Sequence, residues 1–69
     1  MTKILINSES INLGQFLKFS GVISNGGEAK IFLQENDVKV NKIDEKRRGR
    51  KLFSGDIVEI NGEKYCVEK

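Results

Sequence analysis

The 69-residue chain carries 12 Lys and Arg against 10 Asp and Glu, one cysteine and no histidine, so its fold must rest on the 38% of residues that are hydrophobic. With one Cys and no His there is no disulfide, no Cys/His zinc set and no imidazole base, which argues against a metal centre, a cofactor or an enzyme. Apolar runs do not exceed three residues, as at Ile4–Ile6, too short for a membrane helix or secretory signal, and a lone thiol (Cys66) fits a reducing cytoplasm.

Lys3–Ile6 reads as a short strand of apolar and β-branched residues, stopped by Asn7-Ser8. Asn12 and Gln15 have the spacing of a capping box, and Leu13, Phe16 and Leu17 at i, i+3, i+4 predict a helix over 13–20 that ends at Gly21. Asn25 and Glu28 repeat the cap spacing before the stripe Ala29, Phe32, Leu33, which predicts a second helix fading at Glu35-Asn36. Val38-Lys39-Val40 alternates as a strand, with Asn41-Lys42 as a turn before Ile43. Lys46–Lys51 has no apolar period and reads as a loop entering a strand at Leu52-Phe53. After a turn at Ser54-Gly55-Asp56, strands Ile57–Ile60 and Lys64–Val67 are joined by Asn61-Gly62, a strong hairpin signal. The order predicts a single α+β domain over 1–69, with two short helices packed on one face of a small antiparallel sheet.

The charge is unevenly spread. Residues 39–51 hold seven cations (Lys39, Lys42, Lys46, Arg47, Arg48, Arg50, Lys51) and two acids, a net +5, while the other 56 residues hold five cations and eight acids, a net −3. Like charges so close repel by roughly a few tenths of a kcal/mol per pair. Two readings stand: a polyanion site, where arginine forks match phosphate and Gly49 lets a backbone approach, or a solvated loop that keeps a small protein soluble. Gly26 and Gly27, placed in the first turn of the second helix, offer bare N–H groups to a phosphate, with Lys30 one turn on; tight helix packing explains the same glycines. Lys18 and Lys42 read as surface lysines. Cys66, between Tyr65 and Val67, reads as a buried small hydrophobe. Phe16 and Phe32 fall on core stripes, Phe19 and Phe53 are ambiguous, and stacking on splayed bases has little support.

Two capped helices, then Val38-x-Val40-Asn41, a basic stretch and Gly55-Asp56-x-Val58-x-Ile60 resemble the S-four RNA-binding domain, named after the ribosomal protein. Leu13, Leu17, Ala29 and Leu33 match its helical positions. Leu13–Lys18, Gly26-Gly27-x-Ala29-Lys30 and Arg47–Leu52 look like its stand-alone bacterial YaaA/YbcJ subfamily. The chain departs from the wider pattern in having Asn12-Leu13-Gly14 and Asn25-Gly26 where arginine-bearing helix starts are usual, and Lys42 where a glycine follows the asparagine. The resemblance implies a cytoplasmic, non-catalytic module that binds structured RNA, ribosomal RNA or a ribosomal particle, without a membrane or small-molecule partner. The expected contacts are Lys46, Arg47, Arg48, Arg50 and Lys51, flanked by Lys39, Asn41, Lys42, Lys30, Gly26 and Gly27. A protein-docking adaptor whose basic loop meets an acidic partner, and a DNA-binding accessory protein, are the alternatives.

Overall fold

The computed structural model describes residues 1–69. Its strands are β1 (Thr2–Leu5), β2 (Ile11–Asn12), β3 (Val38–Val40), β4 (Ile43–Asp44), β5 (Lys51–Leu52), β6 (Ile57–Ile60) and β7 (Glu63–Glu68); its helices are α1 (Leu13–Phe19) and α2 (Ala29–Glu35), the latter preceded by a 3₁₀ turn at Gly26–Glu28. Five strands form one sheet in the order β1-β7-β6-β3-β4, and β2 pairs with β5 in a separate two-stranded piece. The sheet is antiparallel except at one edge, where β1 runs parallel to β7. No helix is long and apolar enough to cross a membrane.

Local sequence accounts for these elements. Asn12 Oδ1 accepts the Gln15 N–H at 2.8 Å and Gln15 Oε1 accepts the Asn12 N–H at 3.3 Å, closing the expected capping box. At the other end of α1, Gly21 has φ +84°; its N–H donates to Lys18 O and that of Val22 donates to Leu17 O. This Schellman pattern satisfies carbonyls a helix end leaves open. Asn61 and Gly62 both have positive φ, as a two-residue hairpin loop demands, and fix the Ile60–Glu63 register between β6 and β7.

The core is one cluster, with Leu13, Phe16 and Leu17 from α1, Ala29 and Leu33 from α2, and Val38, Val40, Val58, Ile60, Tyr65 and Val67 from the sheet. Phe16 meets Tyr65 edge-on with ring centroids 6.1 Å apart. Period-2 alternation sends the other sheet residues to an open face, and this corrects the reading of Cys66: its neighbours Tyr65 and Val67 are buried, but Cys66 is only partly covered. Phe19 and Phe53 are exposed, and Phe32 is partly buried against the core.

Candidate nucleic-acid interface

The basic loop does not hang free in solvent; it is tied to the start of α1. Leu13 N–H donates to Arg50 O at 2.8 Å and Gly14 N–H to Arg48 O at 2.9 Å. With the Gln15 N–H taken by Asn12, donors in the first turn that a helix cannot pair internally are met by the chain itself. The β2–β5 ladder, Ile11 opposite Leu52 and Asn12 opposite Lys51, continues the same seam.

Inside the loop, one carboxylate organises the cations. The Glu45 side chain is only 7% exposed. Its Oε2 accepts from Arg47 Nε at 2.9 Å and from the Arg47 N–H at 3.1 Å, while Oε1 accepts from Arg47 Nη2 at 3.1 Å and Arg50 Nη1 at 3.0 Å. Hydrogen bonds from Arg47, then from Arg50, outweigh burial and hold the Glu45 carboxyl down to about 2. The bidentate contact fixes the Arg47 guanidinium plane, and the single Nη1 bond tethers Arg50 to the same carboxylate. Lys46 is also engaged, its Nζ donating to Leu33 O at 2.7 Å and Asn36 O at 3.1 Å, where it caps the C-terminal end of α2.

Arg48 takes no part in this clamp. It is exposed, forms no ion pair and lines a shallow polar groove with Asn12, Gly14, Gln15, Lys18, Gly26, Ala29 and Gly49. Gly14 forms the groove floor; a Cβ there would lie 3.5 Å from both the Ala29 and Arg48 Cβ atoms, so helix, loop and α2 meet at contact distance. Lys18, one turn beyond Gly14, adds a second cation to the lining. Lys51, exposed and paired opposite Asn12, and Lys30, exposed and next to Ala29 in sequence, adjoin lining residues without lining the groove themselves.

Of the remaining predicted residues Gly26 lines the groove, and the others are placed elsewhere. Lys39 lies on the open sheet face, paired with Asp37 at 2.7 Å and Asp44 at 3.4 Å, and the Asp37 hydrogen bond raises its pKa. Across the sheet Asp44, Lys39, Glu59 and Lys64 stand in register, a ladder of alternating sign that leaves this face nearly neutral. Lys42 sits at the tip of the β3–β4 hairpin, beside a different hollow shared with Ile57, Glu59 and Lys64. Asn41 is a fold residue: its Oδ1 accepts the Ile57 N–H at 3.0 Å and its Nδ2 donates to Asp56 Oδ1 at 3.1 Å. Gly26 and Gly27 precede α2 in their own 3₁₀ turn, where the Gly27 N–H already donates to Asn25 Oδ1. The Glu28 carboxylate folds back onto Ser24 and Asn25 there, which lowers its pKa and leaves negative charge beside the proposed phosphate cradle.

Two residues of this site were not singled out by sequence reasoning. Glu45 read as a loop acid; its one signal was its position at the head of the basic run, two residues before Arg47 and five before Arg50. Lys18 read as an ordinary surface lysine because only the packing of α1 on the loop puts it beside Arg48.

Two helices beside a mixed sheet, with the basic loop strapped to the first helix, define a member of the S4 domain family, and the family model matches residues 4–68: the chain belongs to that family. It is 58% identical over 59 residues to the probable ribosome maturation protein RlbA of Bacillus subtilis (strain 168), a match that covers 86% of this chain and 83% of that protein.

Proposed function

We propose that this chain is a cytoplasmic, non-catalytic RNA-binding module that acts in ribosome maturation by gripping the phosphate backbone of structured ribosomal RNA. The observation that carries the reading is the meeting of Arg48 and Lys18, both without an acidic partner, across one groove at the start of α1. Family membership and the ribosome-maturation name of the Bacillus relative support the same partner. Lys51 and Lys30, each next to a lining residue by pairing or sequence, extend the basic track. Arg47 and Arg50 act through the loop: bound to Glu45, they hold Arg48 and Gly49 against Gly14. Phosphate contacts position an RNA without reading its sequence, so recognition rests on the shape of a folded RNA.

Four free cations around the groove give a slope of log K against log salt of about −3. Filter binding of the full chain to ribosomal RNA over a salt series tests this. The Lys18→Ala, Arg48→Ala double variant should bind more weakly with a shallower slope. No binding by the parent chain at low salt, or an unchanged double variant, overturns the reading. Matched RNA and DNA duplexes in the same assay decide between the two backbones.

A further inference from the structure

A second hollow lies on the outer flank of α2, and its chemistry is the inverse of the groove. Val22, Ile23, Ile31 and Phe32 line it, with Glu28, Glu35 and Asn36 at its rim and no lysine or arginine among them. Ile31 is 59% exposed although α2 already supplies the core through Ala29 and Leu33, so the fold does not require an isoleucine there. At about 100° per residue, Ile31, Phe32 and Glu35 turn away from Lys30, the neighbour of the groove residue Ala29. The Glu28 carboxylate is fixed by Ser24 and Asn25 and kept ionised, and Glu35 stands exposed two turns on. Lys46, whose Nζ reaches the Asn36 carbonyl at the rim, is already bound there and to the Leu33 carbonyl.

An apolar strip of exposed Ile31 with half-buried Val22 and Phe32, set between two carboxylates, repels phosphate and favours a positively charged apolar partner. We infer that this hollow docks a basic amphipathic segment of a protein, its apolar side chains on Ile31, Phe32 and Val22 and its Lys or Arg side chains meeting Glu28 and Glu35. The two glutamates are about 10 Å apart along the helix axis, a span matched by cations seven residues apart in a helical partner or three apart in an extended one. The module then holds RNA on one flank of the helix pair and a basic protein on the other. This surface shares no residue with the groove and stands whether or not the RNA reading does.

The test is a titration of the ¹⁵N-labelled full chain with a 12-residue leucine–lysine amphipathic peptide, and separately with its leucine–glutamate counterpart, at 0.15 M salt. The lysine peptide should give saturable shifts at Val22, Ile31, Phe32 and Glu35. Ile31→Ser and Glu35→Lys, both at exposed positions, should each weaken it at least tenfold with the rest of the spectrum unchanged. The inference is overturned by equal binding of the glutamate peptide, by shifts confined to the Lys18–Arg48 groove, by no saturation below millimolar peptide, or by concentration-dependent shifts at Ile31 without peptide, which would mark the strip as a contact between copies of the chain.

Discussion

Glu45 Oε1 and Arg50 Nη1 lie 3.0 Å apart, and with Arg47 bound to both of its oxygens the buried carboxylate neutralises part of the basic loop while fixing its path across α1. Arg48, between the two clamped arginines, is left as the free cation of that stretch.

Removing the clamp should therefore cost stability first. Glu45→Gln keeps the shape but loses the charge and one acceptor oxygen, so an NH2 group faces a guanidinium donor. Because Arg47 is mostly exposed and can rehydrate, the loss should be about 1–3 kcal/mol, at the low end of values for broken buried pairs. Thermal unfolding would register this as a midpoint lower by about 5–15 °C.

The same carboxylate sets a pH dependence. Its pKa falls from 4.5 unfolded to about 2 folded, so its contribution is complete above 4.5 and is lost as pH drops toward 2. Denaturant melts of the parent chain and Glu45→Gln should differ most near pH 6 and converge between pH 4.5 and 2. A gap that stays constant over that window contradicts the clamp.

Arginines in one loop should behave differently. Arg48→Ala should weaken RNA binding about threefold to tenfold and flatten the salt slope by about 0.7–0.9, with little change in melting. Arg47→Ala should lower the melting temperature more than Arg48→Ala does, because Arg47 holds Glu45. Paired melting and filter-binding data on the two variants check the division of labour.

The β3–β4 hairpin offers a stabilising change. Asn41 (φ +50°) and Lys42 (φ +72°) both sit in the left-handed region, which asparagine tolerates and lysine does not favour. Lys42→Gly should raise stability by about 0.5–1 kcal/mol in a denaturant melt and leave RNA affinity nearly unchanged, since Lys42 lies outside the groove.

Asn41 itself should prove structural. Asn41→Ala strands the Ile57 N–H and frees Asp56, at a cost of about 1–2 kcal/mol. Asn41→Asp should be worse, because it sets a second carboxylate against Asp56. Chemical denaturation at pH 7 measures both effects.

The sequence by itself determined the elements, through interactions that span only a few residues. Asn12 with Gln15, Asn25 with Glu28, the stripes ending at Leu17 and Leu33, and Asn61-Gly62 are each encoded within one turn, so the two short helices, the hairpins and the α+β class were legible. So was the concentration of charge at 39–51, and its landmarks Val38, Val40, Asn41, Gly55 and Asp56 carried the family. Only tertiary structure decided what each charge does. Glu45 is buried under Arg47 and Arg50 and Lys39 meets Asp44 and Glu59 only once the loop has closed on itself and the strands have paired. Lys18 faces Arg48 because the Leu13 and Gly14 N–H groups bind carbonyls of the loop. The parallel placement of β1 beside β7, which joins the two ends of the chain, depends on pairing that no local pattern specifies. The basic stretch was visible as composition; its division into clamped and free cations is a property of packing.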